Sequence, residues 1–385
     1  MSIASNIRNK FRNIFNEEPL VVRSPGRVNI IGEHTDYNNG FVLPAAIDKA
    51  IYVAVTKRND DSINLYSDDF DELVDFHLQQ LQPEAGRWTN YVLGVVDQLL
   101  KHGYTLQGFN LAVGGDVPIG AGLSSSAAVE CSTIFALNEI FNLNISKLEM
   151  VKRAQKAEHE FSGVMCGIMD QFASMYGKKD HVIKLDCLTL DYEYVPLKLD
   201  GIKVVLLNTN VKHSLASSEY NTRRAQCEEG VTLVKKHFSE VTSLRDVTLD
   251  MLDKHVAPVD ELIYQRCKYV IEENLRLLAA TEDLKAGNIE ALGQKMFQTH
   301  EGLSKQYEVS CKELDFLVNA VSNDADVLGA RMMGGGFGGC TINLIKEDAV
   351  GKVIEKVGNA YSENMQKETT TYTTQIEDGT SITRE

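Results

Sequence analysis

Three short segments concentrate the side chains with chemistry to offer. The first, RSPGRVNIIGEHTDYNNGFVLPAAI (23–47), brings Arg27, Asn29, Glu33, His34, Asp36, Asn38 and Asn39 together, interrupted by Gly26, Gly32 and Gly40. A hydroxyl-rich ligand such as a sugar needs many donors and acceptors in fixed geometry, and a site built that way rejects analogues that leave its groups unpaired. An Asx-rich turn would use two or three of these residues. It gives no role to the rest.

The second segment is GGDVPIGAGLSSSAAVE (114–130). Strand, glycine loop and helix start in that order can bind an anion, because the first helical N–H groups lack intrahelical partners and the dipole is positive there. Gly120 and Gly122 would allow close backbone approach, and Ser124, Ser125 and Ser126 add hydroxyls, making a phosphate cradle. The same serines also suit simple N-capping, and the segment alone leaves both readings open. No G-x-x-x-x-G-K-[ST] loop, HRD or DFG occurs, and the glycine spacing is wrong for a dinucleotide fold. The third segment, GARMMGGGFGGC (329–340), holds five glycines in six positions. That backbone freedom is costly, and it predicts a loop pressed against a ligand or another loop. A hairpin or bulge beside the strand CTINLI is the plainer alternative.

The elements that must position these segments follow from periodicity and punctuation. LVVRS, IYVAVTKR, INLYS and FNLAVGG read as strands, and HVIKLDCLTLDYEYVPL as strands with a turn between. WTNYVLGVVDQLLKHG, SSSAAVECSTIFALNEIF, LEMVKRAQKAEHEFSG and MDQFASMYG read as helices, the third ending at Gly163. IKVVLLNTN is a continuous apolar run, as in a strand buried on both faces. Long helices follow, and TTTYTT near the end reads as an edge strand or a frayed tail. The restart after Pro196 suggests two parts, 1–195 and 196–385, with a cleft between them.

The bulk properties exclude several classes. With 385 residues and a net charge of −15, a general affinity for nucleic acid is not expected. The seven cysteines are scattered and never form a C-x-x-C pair, which fits a reducing cytosol better than a disulfide framework or a zinc ribbon. The start MSIASNIRNKFRNIF reads as an amphipathic helix, not a signal peptide. No run approaches the ~20 apolar residues that span a bilayer. A cytoplasmic monomer acting on small molecules, without membrane or nucleic-acid partners, is expected.

In this order, the three segments resemble the GHMP kinase family. GRVNIIGEHTDYNNG is similar to the sugar signature of its galactose-phosphorylating members, PIGAGLSSSAAVE to the nucleotide-binding second motif, and MMGGGFGGC to the third. CGIMDQFASMYGKKDHVIKLDC (166–187) and HSLASSEYNTRRAQCEE (213–229) also resemble those members. The resemblance implies an α+β fold, with an N-terminal domain like ribosomal protein S5 domain 2, a ferredoxin-like C-terminal domain, and the active site in the cleft. It implies ATP-dependent phosphorylation of galactose at the C1 hydroxyl, giving galactose 1-phosphate and ADP.

By the same resemblance, Asp170 and Arg27 would be catalytic, and Glu33, His34, Thr35, Asp36, Gly167 and Tyr220 would hold the sugar. ATP would lie along Gly120, Ala121, Gly122, Leu123, Ser124, Ser125 and Ser126, with Ser67 and Trp88 near the nucleotide. Mg²⁺ would sit on Ser126 and Glu158. Taken alone, Asp170 is a helix-start carboxylate, Glu158 a solvated helix residue and Trp88 a core residue; His159 and His213 read as structural or exposed. Other members acting on arabinose or N-acetylgalactosamine would share these motifs. A non-catalytic galactose and ATP sensor of this type loses residues from the serine/alanine run, which is intact here as GLSSSAA. Mevalonate kinases lack the HTDY continuation.

Overall fold

The strand Pro44–Lys57 anchors the first half of the chain. Its alternating apolar and β-branched residues suit a pleated surface, and it pairs antiparallel with Leu20–Asn29 and with Phe109–Gly115. The computed structural model describes residues 2–211 and 216–383. Around the long strand a six-stranded sheet takes the order Ser381–Ile382, Leu20–Asn29, Pro44–Lys57, Phe109–Gly115, Ser62–Ser67, Glu72–His77.

Side chains of successive strand residues point to opposite faces, and the two faces of this sheet carry different helices. Val21, Ala54, Tyr66 and Ala112 pack with Ile7 and Phe11 of the N-terminal helix Ile3–Phe15. Val22, Val53, Val55 and Leu111 belong to the main core, with residues of the helices Ser125–Phe141 and Met169–Tyr176. The site segments therefore sit on the second face.

A four-stranded antiparallel sheet has the order Val327–Met332, Cys340–Lys346, Ile202–Asn208, Thr370–Thr374. The run at Ile202–Asn208 divides its side chains between two cores. Val204 and Leu206 join the main core; Val205 and Leu207 join another, with Leu317, Val318, Val353 and Val357. This is why the run is apolar without alternation. A small third sheet joins Phe41–Val42, His181–Asp186 and Tyr192–Pro196.

Three local expectations are refined. LEMVKRAQKAEHEFSG is α-helical over Lys147–Ala157 and then widens to a π-turn over Glu158–Ser162, which ends at Gly163. Residues 329–332 of the third glycine segment belong to a strand, so the loop proper is 333–339. The threonine run is an edge strand, and beyond it the chain returns to the first sheet: Ile376 bridges Ile47, and Ile382 pairs with Val22. Ile376, Ser381 and Ile382 of the 196–385 segment thus lie on the sheet of the first part. Among the described residues no helix is long and apolar enough to cross a membrane.

Candidate active site

Arg27 lies where the pairing of its strand shifts register, between Pro25 and Arg27. Such irregularities re-aim a side chain. The guanidinium is 4% exposed and grips Asp170 with both arms, Nε to Oδ1 at 2.8 Å and Nη2 to Oδ2 at 2.9 Å. Bidentate pairing fixes direction as well as distance. Burial works against the charge on Arg27, but the carboxylates of Asp170, Glu33 and Asp36 outweigh it and raise its pKa. Asp170 occupies the first turn of Met169–Tyr176, where the helix dipole favours an anion.

The serine tip does not use its first side chain as a cap. Ser124 stands at the N-cap position in the left-handed region, φ 59°, and its side chain makes no capping bond. Instead its Oγ donates to Asp170 Oδ2 at 2.5 Å. The first helical bond runs from Ala128 N–H to the Ser124 carbonyl, so the amides before it are not used by the helix. Arg27 ties the same loop down through the Gly122 carbonyl at 2.5 Å.

The third glycine segment is pressed against another loop. A β-carbon on Gly334 would lie 3.4 Å from the Gly122 carbonyl oxygen, and one on Gly339 3.5 Å from that of Ala121. Gly336, at φ +86°, could carry no side chain at all: its β-carbon would fall 2.1 Å from the Val309 carbonyl. The glycines let the two loops close over each other.

Arg27, Glu33, His34, Asp36, Asp170 and Tyr220 share the wall of one cavity of about 210 Å³, with Glu158 and Gly167 also on that wall. Glu33 is 2% exposed; its Oε1 accepts from Gly334 N–H at 2.7 Å and from Arg331 at 3.3 Å, and its Oε2 from Asn29 at 3.1 Å. Burial, reinforced by Asp170, pushes Asp36 up to about 7. Gly167 is required beside it, since a β-carbon there would meet Asp36 Oδ2 at 1.9 Å. Burial pushes His34 down to about 4. The whole turn is braced by the helix Glu261–Lys285, where Glu273 accepts Gly32 N–H and Asn274 accepts Phe41 N–H.

Some residues expected at the site are not on this wall. Thr35 is fully buried and gives its hydroxyl to the Gly32 and Phe41 carbonyls. Ser67 is buried at the end of its strand. Trp88 donates its indole N–H to Glu72 at 2.8 Å. His159, which reads from sequence as structural or exposed, bonds the Cys166 carbonyl, a structural use. His213 lies outside the described residues.

Glu158 is buried on the π-turn, so the solvated-face reading does not hold. π-turns recur at functional sites. Its carboxylate accepts from Ser126 and from Gln171, the latter at 2.8 Å, and burial, then Asp170, pushes it up to about 7. Glu130, fully buried, takes the other bond from Gln171 Nε2 at 3.0 Å. Oxygen donors crowded by like charge fit a hard divalent cation that keeps several waters. Among the described residues no group of three or more His, Cys, Asp or Glu forms a metal cage by itself. Arg331, Tyr37 and Tyr307 were not singled out from sequence; a buried arginine inside an otherwise apolar strand was the available signal.

Three family models match the chain: GHMP kinases N terminal domain over residues 90–178, Galactokinase galactose-binding signature over 9–57, and GHMP kinases C terminal over 280–363. Together they define a GHMP kinase. A galactokinase of Thermotoga petrophila is 44% identical over 361 residues, covering 94% of this chain and 99% of that protein. One from Clostridium acetobutylicum is 42% identical over 386 residues, covering 98% and 99%. The crystal structure of Lactococcus lactis galactokinase complexed with galactose matches with a TM-score of 0.94 and 37% identity, over 99% of this chain and 100% of that one. The chain belongs to the galactokinases of the GHMP kinase family. A mevalonate kinase structure shares the fold at TM-score 0.64 and 19% identity, over 93% of this chain and 99% of that one.

Proposed function

We propose that this chain transfers the γ-phosphoryl group of ATP to the C1 hydroxyl of α-D-galactose, giving galactose 1-phosphate and ADP. The observation that carries the reading is the Asp170 carboxylate, fixed by Arg27 and Ser124 on the wall of a cavity that also presents Glu33, His34 and Asp36. A carboxylate able to take up a hydroxyl proton, a set of donors and acceptors suited to a sugar, and a helix start suited to an anion would then serve one reaction.

In this reading Glu33, His34, Asp36 and Tyr220 bind the sugar hydroxyls, and Gly167 leaves room for the Asp36 carboxylate. Thr35 acts from behind, holding the turn. Asp170 accepts a hydrogen bond from the C1 hydroxyl and aims it at the γ-phosphorus. As the new O–P bond forms, the bond from phosphorus to the β–γ bridging oxygen breaks and ADP leaves. The hydroxyl proton passes to Asp170. Phosphoryl transfer has a loose transition state, so positioning and charge neutralisation carry most of the acceleration. Arg27 supplies fixed positive charge next to the reacting oxygens, and backbone amides of the 120–126 loop and helix start would hold the phosphates. Ser67 and Trp88 would lie near the nucleotide, outside the sugar cavity. Ser126 and Glu158 would hold Mg²⁺, whose contribution when bound is to neutralise phosphate charge. Seven cysteines, all free, suit a reducing cytoplasm.

The test is a coupled ADP-release assay across galactose, glucose, N-acetylgalactosamine, arabinose and mevalonate. Galactose is expected to give the highest kcat/KM. Absence of galactose-dependent ADP release overturns the reading.

A further inference from the structure

His34 is the cavity residue whose hydrogen-bonding role sequence leaves most ambiguous, because a neutral imidazole offers one donor and one acceptor, and either can face the ligand. The ring is 4% exposed and enclosed by the rings of Tyr37, Tyr220 and Tyr307, with centroids 5.0–5.8 Å away. Burial pushes its pKa down to about 4, so at neutral pH it carries a single ring proton.

A chain of hydroxyls leads away from one ring nitrogen. His34 Nδ1 lies 2.7 Å from Tyr37 Oη. Tyr37 Oη lies 2.8 Å from Tyr307 Oη, which lies 3.2 Å from Cys227 Sγ. Tyr307 and Cys227 are fully buried. The other nitrogen, Nε2, is buried without a hydrogen-bond partner among the described residues. The Gly335 carbonyl, on the glycine loop, is close enough to favour a proton on the ring.

We propose that Tyr37 and Tyr307 are positioning residues that fix the tautomer of His34, so that Nδ1 is an acceptor and Nε2–H is the donor presented to a sugar hydroxyl. Each hydroxyl or thiol in the chain has one proton to give. With the protons running one way, Cys227 donates to Tyr307, Tyr307 to Tyr37, and Tyr37 to His34 Nδ1, and each is used once. The opposite direction would make thiol sulfur, a weak acceptor, take the Tyr307 proton, and would leave the buried Nε2 with no proton to give. The relay therefore makes the pocket recognise a ligand acceptor at that position. It deepens the galactose reading and rests on it for the identity of the ligand.

Two measurements test it. The first needs no ligand: the imidazole ¹⁵N spectrum of the chain, with the His34 signals assigned by their loss in His34→Gln. The expected pattern is a protonated Nε2 and an unprotonated Nδ1, shifting to a mixture of tautomers in Tyr37→Phe. A wild-type His34 protonated on Nδ1 overturns the proposal. The second is a split of kinetic constants in Tyr37→Phe and Tyr307→Phe, which keep the rings and their packing. The Tyr37 variant should raise KM for galactose about tenfold, the usual scale for one lost buried hydrogen bond, with KM for ATP within about twofold. The Tyr307 variant should show a smaller rise in the same direction. An unchanged KM for galactose in Tyr37→Phe overturns the proposal, as does an equal rise in both KM values, which marks general loosening. If the wild-type chain does not bind galactose, the functional reading fails, and the spectrum still judges the relay on its own.

Discussion

Arg331 and Glu33, 298 positions apart in the chain, form a buried ion pair at 3.3 Å, with their side chains 0% and 2% exposed. The same guanidinium donates to the carbonyls of Asn29, Ile30 and Met332. The strand that leads into the third glycine loop is thereby tied to the turn that builds the sugar pocket. Removing one member of a buried pair strands the other, which costs far more than an exposed pair gains. Arg331→Met should therefore lower stability by about 3–5 kcal/mol in denaturant unfolding, and Glu33→Gln, which keeps an oxygen acceptor, by clearly less. A loss below ~1 kcal/mol for Arg331→Met, the scale of an exposed pair, would show that the clamp is not needed.

That pair also marks what the chain's linear order hides. Arg27 through Asn39 were legible as a ligand-binding turn because Arg27, Asn29, Glu33, His34, Asp36, Asn38 and Asn39 are more polar side chains than a turn uses. Arg331 lies in the third glycine segment, but Asn29, Ile30 and Glu33, which explain its burial, are about 300 residues away. Ser124 was legible as a helix-start serine, but only the fold brings Asp170 within 2.5 Å of it and turns a cap into a clamp. Thr35 shows a different limit. The family resemblance implies a sugar contact there, while its hydroxyl bonds carbonyls inside the turn, a use that only the fold reveals. The sheets were readable where apolar runs were strong. The return of residues 376–382 to the first sheet carried no comparable signal, because a two-residue strand has no period.

The closeness of Gly167 to Asp36 gives a prediction about the pocket. In Gly167→Ala the new methyl would occupy the space of the Asp36 carboxylate, which must then turn away from the sugar. Loss of one charged hydrogen bond at the scale of 1.5–3 kcal/mol corresponds to roughly a 10- to 100-fold rise in KM for galactose. KM for ATP should stay within about twofold, well under the shift that 1.4 kcal/mol would give. Equal rises for both substrates would point to a general distortion of the cleft.

His34 gives stability a defined acid dependence. Its folded pKa of about 4 lies below the ordinary histidine value, so the unfolded chain takes up the proton first as pH falls. Stability from keeping this ring neutral is complete above pH ~6.5 and is lost as pH drops towards 4, by about 3 kcal/mol in all. Asp36, pushed up to about 7, works the opposite way: its contribution is present at low pH and is lost as pH rises through 7. Wild type must therefore be compared with His34→Asn. Denaturant unfolding at pH 7.5 and pH 4.5 should show the variant losing less stability on acidification than wild type. Parallel losses would mean that the ring is charged in the fold.

Asp170→Asn is the sharpest test of the chemistry. The amide keeps the size of the side chain and one of the two oxygen acceptors that Arg27 uses, so the cavity keeps its shape while the fork loses one arm. It loses the negative charge and the ability to accept the hydroxyl proton. A positioned acid–base group contributes about 10²- to 10⁴-fold, and here the same group also aims the hydroxyl. kcat should fall by roughly 10³-fold or more. Galactose binding, read by calorimetry without ATP, should survive, because Glu33, His34 and Asp36 remain in place. A variant with near-normal kcat would remove Asp170 from the reaction. A variant that neither binds nor turns over would place the residue in sugar recognition instead.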